Sequence, residues 1–249
     1  MKNNNRLIYG IRPVIEAINN GKEIEKVILQ RGIGSEMFKE LFWLIRQREI
    51  PFQYVPQERL NRFTHGNHQG VVCFLSQIVY QKIEDIVPLL YENGRVPFVL
   101  LLDKITDVRN VGAIVRTAEC AGVDAIILPD KGSASINEDA VKSSAGALQL
   151  VPICRHNHLK DVIKYLKNSG LQIVACTEKA STNYNQPLPY SDPICVIMGS
   201  EGEGITADYL SLCDHHVKIP MLGKIASLNV SVAAGIMLFE VVRQRNELK

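Results

Sequence analysis

The sequence predicts an α/β protein made of a small N-terminal α/β domain and a C-terminal domain with an open, mostly parallel sheet. Short unbroken apolar runs such as 97–102 are typical of strands buried on both faces of a parallel sheet. Segments with helical periodicity alternate with these runs, which is the order of βαβ units. With 249 residues, 46% of them hydrophobic, the chain is long and apolar enough to bury a core.

The first part of the chain, residues 1–76, is predicted as a domain of alternating helices and strands. Pro13 suits the first turn of a helix over 12–19. Ser35 is a suitable N-cap for a second helix, whose apolar stripe ends at Ile45. The remaining elements are predicted as strands at 26–29, 53–55 and 71–75 and a short helix at 56–60.

Residues 77–96 contain one amphipathic helix and a turn, and we assign them to a linker. The second domain, 97–249, opens with an apolar strand, a polar loop over 103–110 and a helix closed by Gly122, which together begin a βαβ unit. Further elements are predicted as strands at 125–128, 148–153, 171–176, 194–198 and 217–219 and a helix at 159–167. The last helix, 230–242, is apolar almost all round, and we expect it to be buried.

The net charge is only +2, but it is unevenly distributed. Residues 1–80 carry 11 Lys and Arg against 7 Asp and Glu, whereas residues 81–249 carry 17 against 19. The N-terminal part is therefore the better candidate for contact with a phosphate backbone, although an ordinary, mildly basic surface explains the balance equally well.

Composition argues against a membrane, disulfide-bonded or metal-binding protein. No apolar run approaches the roughly 20 residues of a membrane span. The start of the chain lacks the apolar stretch of a signal peptide, so we expect a cytosolic protein. The six cysteines form no C-x-x-C pair, and adjacent His215 and His216 in a strand would point to opposite faces, so we expect no metal. For His65 and His68 we rank a plain surface position first, an RNA contact second and a metal third.

Three segments of the second domain place polar residues in loops at strand ends, where ligands bind in open α/β sheets. The segments are 102–118, 196–205 and 219–234. Glycines in the loop 199–204 permit close backbone approach to a ligand. No Lys follows this loop, and it carries Glu201 and Glu203. These features argue against a phosphate cradle and favour a ligand with hydroxyl groups and positive charge.

In this order, the three segments resemble the signature motifs of the SpoU-type (TrmH) family of RNA ribose 2′-O-methyltransferases, which use S-adenosyl-L-methionine (AdoMet). Segments 9–17 and 68–71 resemble the N-terminal substrate-binding domain of that family, so the likeness covers nearly the whole chain. The resemblance implies a deep trefoil knot in the C-terminal domain and a homodimer with active sites beside its interface. It also implies AdoMet as methyl donor and RNA as substrate.

The resemblance further implies the site residues. AdoMet would be bound, mostly through backbone groups, at the positions that correspond to Thr177, Gly199, Ile219, Met221, Leu228 and Asn229. The apolar members of this set would suit an adenine ring, and core packing explains them equally well. The catalytic positions correspond to Arg116, Asn110, Glu201, Ser227 and Asn229.

Arg116 matches the arginine to which the family's removal of the 2′-hydroxyl proton is ascribed. A normal guanidinium has a pKa above about 12 and is not a base. Either its environment is unusual, or it orients ribose and phosphate while another group takes the proton. One position departs from the family pattern, because Val108 follows Asp107 where proline is usual, and the loop loses a fixed φ.

The predicted function is therefore methyl transfer from AdoMet to a ribose 2′-hydroxyl of RNA. The domain layout resembles the members that methylate a guanosine of large-subunit ribosomal RNA, and transfer RNA is the alternative target. A non-catalytic RNA-binding ribosome-assembly factor is the alternative from another class. A nucleotide-binding regulator is disfavoured by the acidic loop.

Overall fold

Two separate β-sheets organise the computed structural model, which describes residues 6–247. The chain divides after Val79 into an N-terminal unit, Met1–Val79, and a C-terminal unit, Tyr80–Lys249. Both units contain helices and strands, which confirms the predicted α/β class. Within residues 6–247, no helix is long and apolar enough to cross a bilayer.

The N-terminal unit has a four-stranded sheet in the order β1-β4-β2-β3. Its strands are β1 (Leu7–Tyr9), β2 (Ile24–Gln30), β3 (Phe52–Val55) and β4 (Val71–Leu75), and its helices are α1 (Ile11–Asn19), α2 (Glu36–Gln47) and α3 (Gln57–Leu60). Strand β4 is antiparallel to β1 and β2, whereas β2 and β3 are parallel. The apolar stripes of α1 and α2 bury Val14 and Leu41 in a core with Val27. As predicted, Ser35 caps α2, where its Oγ accepts a hydrogen bond from the Phe38 N–H.

The C-terminal unit has an eight-stranded sheet in which every neighbouring pair of strands is parallel. The strands are β5 (Tyr80–Gln81), β6 (Phe98–Asp103), β7 (Ala125–Pro129), β8 (Ile153–His156), β9 (Gln172–Cys176), β10 (Thr182–Asn183), β11 (Ile194–Gly199) and β12 (His215–Lys218). They lie in the order β10-β12-β9-β11-β6-β7-β8-β5. The order reverses at β6, which has β7 on one side and β11 on the other. Such a reversal leaves a crevice at the carboxyl ends of the strands, where ligands bind.

The helices of the C-terminal unit are α4 (Ile83–Glu92), α5 (Val108–Cys120), α6 (Glu138–Ser143), α7 (Leu159–Asn168), α8 (Ala207–Leu210) and α9 (Val230–Asn246), with a 3₁₀ turn at Ala147–Gln149. The last helix, α9, packs against α5 and β11. Arg245 holds its C-terminal end, because the guanidinium donates hydrogen bonds to the backbone carbonyls of Val96, Pro97, Tyr190 and Asp192. These carbonyls precede β6 and β11, so the C-terminal end of α9 is fixed at the amino ends of these two strands.

The structure differs from the sequence-based expectations in three places. Segment 148–153 is not a strand: the chain turns at Gly146, whose φ is +94°, and β8 begins only at Ile153. Helix α9 is not buried all round, since Val232 and Phe239 are exposed. The segment 77–96 includes β5, which pairs with β8, and α4, whose apolar face joins the core of the C-terminal unit.

Candidate functional site

The loops that follow β9, β11 and β12, together with the start of α9, line a pocket that we call pocket A. Its lining residues are Cys176, Thr177, Glu178, Met198, Gly199, Ser200, Glu201, Gly204, Ile219, Met221, Ala226, Ser227, Leu228, Val230 and Ala233. The three strands are neighbours in the sheet, so the sheet order brings these distant segments of the chain together at its carboxyl edge.

The glycine-rich loop after β11 is a tight turn against its own strand. The Gly204 N–H donates to the Ser200 carbonyl at 3.0 Å. A Cβ at Gly199 would lie 2.2 Å from the carbonyl carbon of Gly204, so this position requires glycine. The buried Asp103 at the end of β6 accepts a hydrogen bond from the Thr206 N–H at 2.7 Å. This hydrogen bond fixes the C-terminal end of the glycine-rich loop, at Thr206, to the neighbouring strand β6.

The Glu201 carboxylate joins residues from all three sequence motifs. Its Oε1 accepts hydrogen bonds from Asn229 Nδ2 at 2.9 Å and from the Val230 N–H at 3.1 Å. Asn110 Nδ2 donates to the same oxygen at 3.5 Å, and Asn110 Oδ1 accepts from Asn229 Nδ2 at 3.1 Å. Asn229 Oδ1 caps α9 by accepting from the Ser231 N–H at 2.9 Å. The carboxylate therefore lies at the positive N-terminal end of a long helix, which favours its charge.

Pocket A is acidic. Glu178 and Glu201 are the charged residues among its described lining, which contains no Lys or Arg. Burial raises the pKa of the Cys176 thiol to about 12, so this thiol is uncharged at neutral pH and is a poor nucleophile. The pocket therefore suits a ligand with positive charge and hydroxyl groups, and it is unsuited to a phosphate.

A second pocket, pocket B, shares Ser200, Glu201 and Val230 with pocket A. It is lined by Lys104, Ile105, Thr106, Asp107, Asn110, Lys131, Gly132, Ser200, Glu201, Gly202, Glu203 and Val230. Lys104 Nζ lies 2.6 Å from Glu203 Oε2, and this hydrogen bond raises the pKa of Lys104 and lowers that of Glu203. Pocket B therefore presents both signs of charge beside the acidic pocket A.

Val108 stands where the family pattern has proline, and a side-chain cap at the start of α5 compensates for the missing proline. Val108 is the first residue of α5, a position where proline is tolerated because the N–H makes no helical hydrogen bond. Asp107 is the N-cap, and its Oδ1 accepts from the Arg109 N–H at 2.8 Å, which lowers the pKa of Asp107. The side-chain cap fixes the start of the helix without a proline.

Of the ten residues predicted from the sequence, seven line pocket A: Thr177, Gly199, Glu201, Ile219, Met221, Ser227 and Leu228. Asn110 lines pocket B, and Asn229 joins Asn110 to Glu201. Arg116 is exposed on α5 and lines neither pocket. It lies six residues after Asn110, about 240° around the helix axis at 3.6 residues per turn. Sequence reasoning did not assign Glu178 and Ser200 to the site, although each lies two residues after the end of a predicted strand.

Two of the histidines considered as metal ligands have other partners. His216 Nε2 lies 2.9 Å from the Leu210 carbonyl. His68 is buried, so the expectation of a surface position is wrong for it, and its ring nitrogens contact Asn61 and Gly70. His65 is exposed. In the described part of the chain, no group of three or more His, Cys, Asp or Glu side chains is arranged to hold a metal ion.

The three motifs of the C-terminal unit lie in a region that matches a known protein family. The sequence profile of the SpoU rRNA Methylase family matches residues 97–239, which include both pockets. The chain belongs to the SpoU methylase family. In this SpoU protein, residues 7–81 match a second profile, described as RNA 2′-O ribose methyltransferase substrate binding. Membership confirms the resemblance inferred from the three motifs.

Known proteins resemble this SpoU chain over almost its full length. A Staphylococcus epidermidis protein assigned to the TrmH family of tRNA/rRNA methyltransferases is 34% identical over 98% of this chain and 97% of its own. An AdoMet-bound rRNA methyltransferase from Sinorhizobium meliloti is 28% identical, with a TM-score of 0.61 over 96% of this chain and 87% of its own. The SpoU methyltransferase AviRb from Streptomyces viridochromogenes, in complex with AdoMet, is 25% identical, with a TM-score of 0.61 over 97% of this chain and 90% of its own.

As a SpoU family member, the chain is an RNA methyltransferase, which confirms the predicted enzyme class. AdoMet, the cofactor expected with that class, is the ligand in both of the crystal structures named above.

Proposed function

We propose that this chain transfers a methyl group from AdoMet to a ribose 2′-hydroxyl of RNA. The observation that carries the proposal is the hydrogen-bonded cluster of Asn110, Glu201 and Asn229. Glu201 lines both pockets, so the cluster stands where an acidic cofactor pocket adjoins a second pocket that a nucleotide can enter.

Pocket A supplies what AdoMet requires. The apolar side chains of Ile219, Met221 and Leu228 suit an adenine ring, and the backbone near Gly199 allows close approach. The carboxylates of the pocket favour the positive sulfonium and amino groups. When bound, AdoMet supplies an electrophilic methyl group. This chain then has to hold the ribose oxygen in line with that group, within about 3–3.5 Å.

The polar residues of the site have distinct roles in this proposal. Asn110 lines pocket B and orients the ribose there, while Asn229 and Glu201 fix the position of Asn110. Ser227 lines pocket A, where its hydroxyl would help to orient the ribose beside the cofactor. Arg116 lies outside both pockets of one chain, so it meets the reacting groups only when RNA or a second chain completes the site. Its guanidinium suits bidentate contact with a phosphate, which leaves proton removal to another group.

The proposed target is a guanosine of large-subunit ribosomal RNA. The family profile names ribosomal RNA, and the presence of a substrate-binding region over residues 7–81 supports a large structured substrate. We assign RNA affinity chiefly to residues 1–76, which carry the positive charge balance. Residues 97–249 would carry the knotted methyltransferase domain. A soluble cytosolic enzyme fits this substrate.

A homodimer is the proposed working form. Val232 and Phe239 are seven positions apart on α9, so they lie on one face of the helix, and both are exposed. Two exposed apolar side chains on one face of a helix suit burial against another chain. A second copy of the same face would cover them and would bring the α5 helices of two chains near each other, because α5 packs on α9.

The test follows a labelled methyl group. Full-length protein is incubated with methyl-labelled AdoMet and, in separate reactions, with deproteinised large-subunit ribosomal RNA and with transfer RNA. The products are then hydrolysed in alkali. A 2′-O-methyl group removes the hydroxyl that attacks the neighbouring phosphodiester, so ribose methylation leaves the label in dinucleotides and base methylation leaves it in mononucleotides.

Label in guanosine-containing dinucleotides from ribosomal RNA is the expected result. Label confined to transfer RNA would show that transfer RNA is the target. Label in mononucleotides would show that a base is methylated instead of the ribose. Binding of ribosomal RNA without any methyl transfer would favour the assembly factor. Mapping ribose methylation in ribosomal RNA from a deletion strain then locates the nucleotide.

A further inference from the structure

The four strands of the N-terminal unit place their connections to α1, α2 and α3 at one end of the sheet. Strands β1, β2 and β3 all finish there, at Tyr9, Gln30 and Val55, and β4 begins there at Val71. The register confirms this arrangement, because Tyr9 is opposite Val72, Leu29 is opposite Val71 and Gln30 is opposite Val55. Residues far apart in sequence therefore meet at this end.

The motif His68-Gln69-Gly70 connects these strand ends by hydrogen bonds. Gln69 Oε1 accepts from the Ile11 N–H at the start of α1, at 3.2 Å. The Gly70 carbonyl accepts from the Gln30 N–H at the end of β2, at 2.8 Å. The buried His68 accepts from the Gly70 N–H through Nδ1 at 2.9 Å, so its Nε2 carries the proton and donates to Asn61 Oδ1 at 2.8 Å.

This connection is sterically tight. A Cβ at Gly66 would lie 2.5 Å from the Tyr9 ring, and a Cβ at Gly70 would lie 2.2 Å from Ile33 Cδ1. The tyrosine ring rests against the loop, yet Tyr9 remains 40% exposed. Ile11 and Ile33 also belong to or pack on the apolar core of the unit, so this connection is fixed to the core while Tyr9 remains accessible at the surface.

Arginines and aromatic rings surround the connection. Arg31, Arg59 and Arg62 are exposed and form no ion pair with any described residue, while Arg12 pairs only with Glu16, at 3.4 Å. Phe63 is exposed too and makes an edge contact with Phe74, at 5.3 Å between ring centroids. Arginine with exposed aromatic rings is the combination that binds phosphates and stacks on unpaired bases.

We infer that RNA binds the N-terminal unit at this surface, which we call the strand-end face: Tyr9–Arg12, Arg31 and Arg59–Gly70. The arginines contact phosphates, and Tyr9 and Phe63 stack on unpaired bases. The inference rests on the proposed function and assigns its RNA affinity to one side of the unit. It also gives the His68-Gln69-Gly70 motif a role, which is to fix the start of α1, the end of β2 and the segment that contains Asn61 relative to one another.

Charge alone does not single out this face. The opposite end of the unit, where α2 finishes, carries Arg46 and Arg48, which are also exposed and form no ion pair within the described residues. Trp43, the single tryptophan of the chain, is 60% exposed on α2 near that end. The strand-end face differs from the opposite end because its loops are joined by hydrogen bonds. Replacing two arginines at the opposite end therefore provides a control with the same change in net charge.

The experiment compares two double variants of the full-length protein, Arg59→Glu with Arg62→Glu and Arg46→Glu with Arg48→Glu. Affinity for deproteinised large-subunit ribosomal RNA is measured over a series of salt concentrations. The first pair should bind more weakly, and its slope of log affinity against log salt should fall by about one for each arginine. The second pair, with the same net charge, should keep the wild-type slope. AdoMet affinity and thermal unfolding, measured for all proteins, show that folding is intact.

Trp43 fluorescence gives a second readout in the unmodified protein. Saturating RNA should leave its intensity nearly unchanged, since the strand-end face does not include α2. Strong quenching, together with a larger loss of RNA affinity in the Arg46 and Arg48 pair, would place the RNA on α2 and overturn the inference. Equal losses in both pairs would also overturn it, as they indicate an unspecific charge effect. Wild-type protein that binds no RNA would instead reject the proposed function itself.

Discussion

Asn229 Nδ2 lies 2.9 Å from Glu201 Oε1 and 3.1 Å from Asn110 Oδ1, so one side-chain amide joins three segments that are far apart in the chain. The same asparagine caps α9 through its Oδ1. Because one residue performs both tasks, the start of α9 cannot move without moving the polar residues of both pockets. The stability of the helix and the geometry of the site are coupled at this position.

Replacing Asn229 separates its two tasks. Asn229→Ala removes the cap and should lower the free energy of unfolding by about 1 kcal/mol. Asn229→Ser keeps a capping oxygen and should cost much less. Neither side chain reaches Glu201 and Asn110 as an amide does, so both variants should lose methyl transfer by on the order of 10²-fold, the usual effect of misplacing a positioning group by about 1 Å. Chemical denaturation and single-turnover methyl transfer measure the two effects. A serine variant with the wild-type rate would show that the amide bridge is not needed.

Gly199 and Gly202 offer a matched pair within one loop. A Cβ at Gly199 would lie 2.2 Å from the carbonyl carbon of Gly204 and 2.4 Å from the Ile205 nitrogen, whereas a Cβ at Gly202 meets no atom within 4 Å. Gly199→Ala should displace the loop at a cost of about 1–3 kcal/mol. If AdoMet needs the loop as it stands, that cost corresponds to roughly 5- to 150-fold weaker binding. Gly202→Ala should bind AdoMet normally. Titration calorimetry measures the AdoMet affinity of both variants. Equal affinities would show that the loop is not part of the cofactor site.

Much of the site could be predicted because its residues directly follow apolar strands. In a parallel sheet such positions share one edge, so the sequence groups the loops at Gly199 and Ile219, whereas Thr177 is predicted only from the resemblance to the family. The hydrogen bonds of Glu201 could not be predicted in this way. They depend on which strands are neighbours, and β11 lies between β9 and β6 although β7 follows β6 in the chain.

Other features lack a local signal altogether. Segment 148–153 buries Leu148, Val151 and Ile153 but leaves Leu150 70% exposed, and it forms a turn before β8, because an apolar composition alone does not distinguish a strand from a turn beside the core. His68 is buried, and its ring nitrogens contact Asn61 and Gly70. No pattern in the surrounding sequence indicates this burial. The trefoil knot stays a prediction from the family, because strand order does not specify how the chain threads through itself.

The exposed apolar residues of α9, Val232 and Phe239, allow the proposed homodimer to be tested. Phe239 is 49% exposed, and a stable dimer that covers it would place this large ring at the centre of an apolar contact. Phe239→Asp should convert a dimer at micromolar concentration into a monomer, because an unpaired carboxylate would be buried. Leu89→Asp, at an exposed position on α4, is the control and should remain dimeric. Sedimentation measures both. A wild-type monomer, or a Phe239→Asp dimer as stable as wild type, contradicts this assignment.

Arg116 lies outside both pockets of the single chain, and its role is tested by rate rather than by binding. If Arg116 acts at the transition state, Arg116→Ala should lower kcat by roughly 10²–10³ with little effect on AdoMet affinity. Arg116→Lys keeps the charge but loses the planar pair of donors, so it should be nearly as slow if bidentate geometry matters. A role confined to holding phosphate would let lysine recover much of the rate, and the loss in the alanine variant would appear in RNA affinity. Single-turnover methyl transfer with RNA and AdoMet saturating separates these outcomes. An alanine variant that transfers methyl at close to the wild-type rate would show that Arg116 is not catalytic, because saturation removes any contribution from binding.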